Sequence, residues 1–232
     1  MNSALVSVVM AVKNGERFIK TALESLVAQD YQPLEIIVVN DGSTDKTLEI
    51  VNLFKNVRVV EPTKTGVGNA YNAGIRAARG EYVAFLSHDD FWTKDKLRRQ
   101  IEILQNDSAA MFAVCRAEFF LEDENFVPAG FRRELLAGNH IAYIPETLLA
   151  RREVFDTVGL FDETMKTSED VDWFARAFDL KIPSVVVPQV LLHKRIHDRN
   201  LHLESVENNR DLLRAVKRSI QRKHESENQI NV

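Results

Sequence analysis

The segment LVSVVMAVKNGERFIKTALESLVAQDYQPLEIIVVNDGS, residues 5–43, decides the fold. It begins with a β-rich apolar run that stops at the turn signal Asn14-Gly15. Apolar residues then recur at helical spacing from Glu16 to Ala28, and a second apolar run, EIIVVN, follows a break that contains proline. The segment therefore predicts a strand, a helix and a strand, and the continuous apolar character of both runs indicates strands that are covered on both faces.

The same alternation continues to about residue 107. KTLEIVNLF predicts a helix, VRVVEP a third strand, GVGNAYNAGIRAAR a helix that starts at a glycine, EYVAFLS a fourth strand and KDKLRRQIEILQ another helix. Strands that alternate with helices of about three turns form βαβ units. We therefore expect an α/β fold with a mostly parallel central sheet flanked by helices.

The chain is less regular after residue 108, and residues 130–142 look like a loop. The tail from Leu203 to His224 predicts a basic helix with one apolar stripe, formed by Leu212, Leu213, Val216 and Ile220. We expect this stripe to pack on the domain; contact with a membrane surface and a homodimer are the alternatives. The prediction is one domain over residues 1–232, with parts at about 4–107, 108–202 and 203–225.

Composition excludes several classes of protein. A net charge of −4 and a pI of about 5.9 argue against a general nucleic-acid binder. The single cysteine, Cys115, excludes an internal disulfide and a multi-cysteine metal site, and its apolar surroundings predict a buried thiol. We find no signal-peptide pattern and no run of about 18–20 apolar residues, so we expect a protein of the reducing cytoplasm.

Ligands of open parallel sheets bind outside the carboxyl ends of the strands. The first, second and fourth strands end in small, glycine or acidic residues: Ala11 to Asn14, Asn40 to Ser43 and Ser87 to Asp90. The third is followed by Thr63, Lys64, Thr65 and Gly66. GVGNAYNAG lacks the last spacing of a dinucleotide fingerprint and no P-loop occurs, so a nicotinamide enzyme is excluded.

Two acidic pairs are candidates for chemistry. Asp89 and Asp90 suit a hard divalent cation, which one or two carboxylates hold together with substrate phosphates; the alternative is a helix start. Glu169 and Asp170 in TSEDVDWFARA are either a general base or an acidic first turn favoured by the helix dipole. The segment HKRIHDRNLH, residues 193–202, could bind phosphate or complete a metal shell.

Together these segments resemble the inverting family 2 glycosyltransferases of the GT-A fold. The resemblance covers about Val6 to His202 and is carried, in the family's order, by SVVMAVKNGERFIKTALESLVAQ, EIIVVNDGSTDKT, GVGNAYNAGIRAARGEYVAFLSHDDFWTKDKL, RREVFDTVGLFDE and SEDVDWFARA. It implies a Rossmann-like GT-A sheet followed by an acceptor-side region. It also implies a nucleotide-diphosphate sugar donor, a UDP-sugar first, and a bound Mg²⁺ or Mn²⁺.

The resemblance also implies roles for single residues. Asp41 would contact the nucleobase, and Asp89 would bind the metal. Asp170 would be the catalytic base, with Glu169 beside it. Arg195 and His197 match an R-x-H element near the diphosphate, and His197 is also a candidate metal ligand. The other expected donor-binding residues are Ala11, Val12, Asn14, Gly66, Asn72, Ser87, His88 and Asp90.

The sequence departs from the family pattern in two places. Ser87 stands where the family more often has an aspartate, so the D-x-D pattern is reduced to SHDD. Ser87 can bind a ribose hydroxyl but brings no charge. The family's common ARN appears as Ala70-Tyr71-Asn72, and Tyr71 could stack on the nucleotide instead of the missing arginine.

The leading hypothesis is a metal-dependent inverting glycosyltransferase that moves one sugar to a hydroxyl of a glycan, a lipid-linked or a peptide acceptor. The alternatives are a non-catalytic nucleotide-sugar- or partner-binding module on the same fold, and a nucleotidyltransferase that releases pyrophosphate. We expect a cytoplasmic protein whose basic tail helix is a candidate contact to the inner face of the membrane or to a second copy.

Overall fold

The computed structural model describes residues 3–129, 131–198, 200 and 206–230, and within the last helix it describes the side chains of 209–225. The strands are β1 Val6–Val12, β2 Leu34–Asn40, β3 Val57–Val60, β4 Tyr82–Phe85, β5 Phe91–Trp92, β6 Phe112–Leu121, β7 His140–Ile141, β8 Leu149–Arg151 and β9 Ser184–Ile196. The helices are α1 Ile19–Val27, α2 Thr47–Val51, α3 Val67–Ala77, α4 Lys96–Asn106, α5 Val154–Val158, α6 Glu169–Asp179 and α7 Val206–Ile230. Short 3₁₀ turns occupy Arg133–Leu136 and Pro145–Thr147.

The described strands form one sheet in the order β3-β2-β1-β4-β8-β6-β9-β5, with β7 beside β6. β1 pairs in parallel with both β2 and β4, and β6 runs parallel to β9 over the longest ladder. The expected mostly parallel sheet is confirmed. The strand order changes direction at β1, so the carboxyl ends of β1 and β4 flank the crevice where ligands bind in open α/β sheets.

Both faces of the parallel half are covered, as the continuous apolar runs predict. Val8 and Met10 of β1 pack in one cluster with α1 residues such as Leu23, while Val9 faces a second cluster that includes Ile75 of α3. A Cβ atom added at Gly74 would lie 2.2 Å from Val9 Cγ1, so a glycine is needed for α3 to lie this close to the sheet. Fully burying an aliphatic side chain contributes roughly 1.5–3 kcal/mol, and this packing fixes the ends of β1 and β4.

Tyr71 belongs to the core and not to a nucleotide site. It is 4% exposed, and its ring packs edge-on against Phe85 and at a tilt against Phe161. Burial raises the pKa of its phenol well above the usual value. The expectation that Tyr71 could stack on a nucleotide is wrong, because α3 turns this position towards the sheet.

The C-terminal helix docks with the opposite face from the one predicted. Ala215 is fully buried, and Arg218 and Arg222 donate to Asp162 and Asp179 at 2.6 and 2.8 Å. The expected packed stripe instead faces outward, with Leu212, Leu213, Val216 and Ile220 between 41% and 68% exposed. The α6 side of the domain offers carboxylates, so α7 binds it through its arginines. The helix begins at Val206, and residues 203–205 lie outside the described part of the chain.

Three further expectations can be compared with the structure. Cys115 is fully buried, as expected, and burial raises the pKa of its thiol to about 11. The segment 130–142, expected to be a loop, contains the 3₁₀ turn and β7. Among the described residues, no helix is both long and apolar enough to cross a membrane.

Candidate active site

The loops that follow β1 and β2 are tied to each other. The main-chain N–H of Asn14 donates to Ser43 Oγ at 3.0 Å, and Asn14 Oδ1 accepts from the N–H of Thr44 at 2.8 Å. Gly15 N–H donates to Thr47 Oγ1 at 2.8 Å. Asn14 has a φ of 53°, a left-handed conformation that asparagine tolerates better than most residues. The two loops therefore form one wall of the crevice.

Asp41 lies where these loops meet the sheet. Its main-chain N–H donates to the carbonyl of Val12 at 2.8 Å, which extends the ladder of β1 and β2 by one residue. Its Oδ2 accepts from the N–H of Gly66 at 3.0 Å, and Gly66 has a φ of 121° that favours glycine. Its Oδ1 is buried and has no hydrogen-bond partner among the described residues. An unsatisfied buried acceptor costs about 1–3 kcal/mol, so this oxygen is a candidate for contact with a ligand.

His88 lies against the loop that follows β1. A Cβ atom at Gly15 would come within 2.7 Å of the His88 ring, and the Ala11 carbonyl forms a hydrogen bond with this histidine. Burial lowers the pKa of His88, against the opposing charge of Asp89. We therefore describe His88 as a neutral imidazole that joins the end of β4 to the end of β1.

Asp89 is paired with His197 across the end of the sheet. His197 Nε2 lies 3.0 Å from Asp89 Oδ2, and Asn200 Nδ2 donates to the same oxygen at 3.4 Å. Burial opposes ionisation of Asp89, but the hydrogen bond from His197 and the positive charge of Lys194 outweigh it and hold the pKa of Asp89 well below the usual range. Asp89 is therefore ionised at neutral pH.

Arg195 is held at the same site by aromatic rings. Its guanidinium carbon lies 4.8 Å from the ring centre of Phe18 and 4.9 Å from that of Phe120. Its Nε donates to the Asp89 carbonyl at 3.0 Å. Contacts between a guanidinium and aromatic faces are worth about 0.5–2 kcal/mol each, so they fix a cation beside Asp89.

The neighbouring Lys194 makes different contacts. Its Nζ donates to Asp90 Oδ2 at 2.8 Å and to Glu146 Oε1 at 3.2 Å. Asp90 is 1% exposed and also accepts from the main-chain N–H of Arg195 at 2.8 Å. Burial, together with Asp89 and Glu146, raises the pKa of Asp90 to about 8 in spite of Lys194. Asp90 therefore joins β4 to β9. Of the basic segment 193–202, Arg199 and His202 lie outside the described residues.

Glu146 is the site residue that the sequence analysis missed. It lies in the 3₁₀ turn Pro145–Thr147 and is 6% exposed. Its Oε1 accepts from Ser87 Oγ at 2.5 Å, and its carbonyl accepts from Trp92 Nε1 at 3.0 Å. A lone carboxylate among the apolar residues of YIPETLL was the signal that could have identified it.

The second acidic pair begins α6, so Glu169 and Asp170 do lie in an acidic first turn. Glu169 is 4% exposed, and burial followed by the charge of Asp170 raises its pKa to about 8. Asp170 is more exposed than its neighbour. Ser168, directly before the pair, has a φ of 61°, which is uncommon for serine. The geometry thus gives a largely protonated Glu169 next to a more accessible Asp170.

Comparison with known proteins now adds to this geometry. The sequence profile of the family described as Glycosyl transferase family 2 matches residues 7–164. The chain belongs to glycosyl transferase family 2. The match contains every site residue described so far up to Glu146, while Glu169, Asp170, Arg195 and His197 follow it.

Curated glycosyltransferases are similar to this chain. An uncharacterized glycosyltransferase of Rickettsia typhi is 36% identical over 211 residues, which are 84% of this chain and 65% of the relative. One of Rickettsia prowazekii is 32% identical over 226 residues, 90% of this chain and 70% of the relative. The chain thus spans about two thirds of the length of both. WfaP of Escherichia coli, named a UDP-Glc:alpha-D-GlcNAc-diphosphoundecaprenol beta-1,3-glucosyltransferase, is 35% identical over 106 residues, 44% of this chain and 42% of WfaP.

Solved structures confirm the expected GT-A fold. TarS of S. aureus in complex with UDP-GlcNAc superimposes with a TM-score of 0.76 at 23% identity, over 94% of this chain and 66% of that one. The mannosyltransferase PcManGT of Pyrobaculum calidifontis, in complex with GDP-Man and Mn²⁺, gives a TM-score of 0.73 at 20% identity, over 95% of this chain and 65% of that one.

In this family 2 member, one expected donor-binding residue has another role. Asn72 is 1% exposed; its Nδ2 donates to the Phe161 carbonyl at 2.9 Å and to Glu163 Oε1 at 3.0 Å, and its Oδ1 accepts from the N–H of Phe161 at 3.0 Å. Asn72 therefore holds the loop after α5 against α3. We do not include it in the donor site proposed below.

Proposed function

We propose that this family 2 chain transfers one sugar from a nucleotide-diphosphate sugar, a UDP-sugar, to a hydroxyl group of an acceptor, with inversion at the anomeric carbon. The observation that carries the proposal is the buried Asp41 Oδ1 at the crevice, which has no partner among the described residues. A carboxylate oxygen in that position accepts from an N–H on the edge of a nucleobase, which uracil offers. The UDP-GlcNAc complex of TarS and the UDP-Glc in the name of WfaP support this choice of nucleotide.

Asp89 and His197 fit a divalent cation at this site. A carboxylate oxygen of Asp89 and the Nε2 of His197 meet at the end of the sheet, 3.0 Å apart, and would be the protein ligands of such an ion. Among the described residues, no group of three or more histidine, cysteine or acidic side chains is arranged for a metal. Mg²⁺ or Mn²⁺ is commonly held by one or two protein ligands plus substrate phosphates, which this pair allows. When bound, such an ion stabilises the charge of the departing diphosphate.

The remaining residues supply positioning and proton transfer. Arg195, fixed between two phenylalanine rings beside Asp89, places a cation next to the diphosphate. Asp170 takes the proton of the acceptor hydroxyl. At the same time the acceptor oxygen bonds to the anomeric carbon, from the face opposite the diphosphate. The bond from that carbon to the diphosphate breaks, and the electron pair leaves on the nucleotide. Since Glu169 is largely protonated, it does not compete for the acceptor proton.

We propose a lipid-linked glycan as the acceptor. WfaP acts, by its name, on a sugar carried by diphosphoundecaprenol. The outer face of α7 gives independent support. The exposed Leu213 and Ile220 lie on the same face of the helix as the exposed Arg210 and Lys217, and a basic amphipathic helix binds anionic membrane surfaces.

The membrane contact is tested by flotation with vesicles of anionic and of neutral lipid. We expect binding to anionic vesicles only and its loss in Leu213→Glu/Ile220→Glu. The opposite result is binding to neither kind of vesicle, together with a doubled mass in solution that Leu213→Glu/Ile220→Glu abolishes. It would show that this face of α7 binds a second copy of the chain and not a membrane.

The reaction is tested first by thermal unfolding with UDP-, GDP-, dTDP- and CMP-sugars, each with Mn²⁺ and with a chelator. A ligand at about 100 times its Kd adds about 2.7 kcal/mol of stability, a shift of a few degrees. We expect a Mn²⁺-dependent shift with the UDP-sugar. Asp170→Asn should keep that shift and lose turnover, whereas a non-catalytic binding module has no turnover to lose. Absence of a shift with every donor would refute the proposal.

A further inference from the structure

Glu146 is a buried carboxylate next to the residue that departs from the family pattern. Ser87 follows β4 and is half-buried, while Glu146 comes from a turn 59 residues later. The hydrogen bond from Trp92 Nε1 to the Glu146 carbonyl holds that turn under the end of the sheet. The structure thus places an acidic group where the sequence shows only a neutral hydroxyl.

Glu146 is ionised in spite of its burial, because Lys194 and the hydrogen bond from Ser87 together lower its pKa. A buried carboxylate is normally neutralised by a partner of opposite charge, and Lys194 Nζ lies 3.2 Å from Glu146. The same ammonium group is closer to Asp90, at 2.8 Å, and Asp89 adds a further negative charge. Burial raises the pKa of Asp90 to about 8, so Asp90 is largely neutral at pH 7 and Lys194 balances the charge of Glu146. Glu146 is therefore a buried, ionised acceptor beside Ser87.

The hydrogen bond between Ser87 and Glu146 has a fixed direction. An ionised carboxylate only accepts, so the single hydroxyl proton of Ser87 points to Glu146 Oε1. The Tyr71 hydroxyl also hydrogen-bonds with Ser87 and takes one lone pair of Oγ, and the other lone pair is available to accept a hydrogen bond from a ligand. A hydroxyl that donates to a carboxylate is also a stronger acceptor than an isolated one.

We infer that Glu146 is a positioning residue of the donor site and that it places a negative charge directly behind the Ser87 hydroxyl. Ser87 accepts from a ribose hydroxyl of the nucleotide, and Glu146 orients and polarises Ser87. This inference rests on the proposed donor site, and it explains how the chain departs from D-x-D while the acidic character of the site remains.

The experiment is calorimetric titration of UDP in the presence of Mn²⁺, with unfolding curves for every variant. We expect Ser87→Ala and Glu146→Gln each to weaken binding about tenfold, the loss of one good hydrogen bond. The double variant should bind no more weakly than Ser87→Ala, because Glu146 acts through Ser87. Moving the charge to position 87, in Ser87→Asp/Glu146→Gln, should restore binding to within about threefold of the wild type.

Glu118→Gln is the matched control. Glu118 pairs with His193, the neighbour of Lys194 on β9, at 3.3 Å, and its side chain is 52% exposed. This change from acid to amide should leave UDP affinity unchanged.

The outcomes separate the two proposals. Glu146→Gln that unfolds more easily but binds UDP like the wild type would show a purely structural role and overturn the inference. Additive losses in the double variant would do the same. A wild type that binds no UDP would overturn the inference together with the proposed function. Should Glu146→Gln fail to fold, wild-type affinity in Ser87→Ala overturns the inference on its own.

Discussion

Replacing Asp211 by alanine should slow turnover while leaving donor binding intact. Asp211 lies on the inner face of α7 and is 9% exposed. Its Oδ2 accepts from the main-chain N–H groups of Lys166 and Thr167, at 2.9 and 3.3 Å. These residues lie just before Glu169 and Asp170 in the chain, and the left-handed Ser168 between them needs support from its surroundings.

The magnitude follows from what the carboxylate does. Asp211→Ala leaves two main-chain N–H groups without their acceptor, which should lower the free energy of unfolding by about 2–4 kcal/mol. The start of α6 then loses its fixed position, and misplacement of a catalytic group by about 1 Å can cost about 10²-fold in rate. We therefore expect kcat to fall about 10- to 100-fold. KM for the donor should change less than about threefold, because Asp41 and Asp89 are held by other loops.

Asp179→Ala is the matched control. Asp179 also joins α6 to α7, by accepting from Ser219 Oγ at 2.9 Å and from Arg222 Nε at 2.8 Å, but at the far end of α6. Its loss should destabilise the protein by a similar amount and leave kcat within about twofold. Release of UDP from the donor is measured at a temperature where all variants are folded. Equal losses of kcat in the two variants, at equal folded fractions, would refute a positioning role for Asp211.

Further predictions concern stability and donor binding. Burial lowers the pKa of Lys96 from 10.5 to about 8. At a pH where this lysine is charged in both the folded and the unfolded protein, the shift lowers the free energy of unfolding by about 3 kcal/mol. Lys96→Met removes this cost but also loses the hydrogen bond from Lys96 to Gln100, so urea unfolding below pH 8 should show a net gain of about 1–2 kcal/mol in the free energy of unfolding. This gain should fade as the pH rises from 8 to 10.5, because the lysine then loses its charge in the wild type. Gly74→Ala should lose about 1–3 kcal/mol in the same assay, since its Cβ would overlap Val9. Asp41→Ala should weaken UDP binding about tenfold or more by calorimetry, and unchanged affinity would contradict the nucleobase contact.

The sequence predicts those features that depend on local pattern. The βαβ units follow from the spacing of apolar residues, and the location of Asp41 and Asp89 at the same edge of the sheet follows from the rule that parallel strands end at one edge. Glu146 could not be predicted this way, because its partners come from β4 and β9. The prediction that Tyr71 stacks on a nucleotide was wrong for a related reason. Helical periodicity identifies the buried face of a helix, but it does not distinguish a residue that packs in the core from one that contacts a ligand.

The orientation of α7 is a second case in which the periodicity of apolar residues does not predict the structure. An apolar stripe normally packs inward, and periodicity alone gives no reason to expect otherwise. The inner face of α7 is instead selected by carboxylates of other elements, since Asp162 and Asp179 bind its arginines. A prediction from sequence would have needed the charge of the surface that receives the helix.

This orientation makes α7 part of two proposed activities at once. Its inner face holds the loop that precedes the base through Asp211, and its outer face exposes the apolar stripe around Leu213. Deleting the helix would therefore remove membrane contact and turnover together and would be misread as a requirement for membranes in catalysis. The point variants separate them. Leu213→Glu/Ile220→Glu should lose vesicle binding and keep donor hydrolysis in solution, whereas Asp211→Ala should keep vesicle binding and slow hydrolysis about 10- to 100-fold. If each variant lost both activities, the two faces of the helix would not act independently, and the assignment of separate roles to them would be wrong.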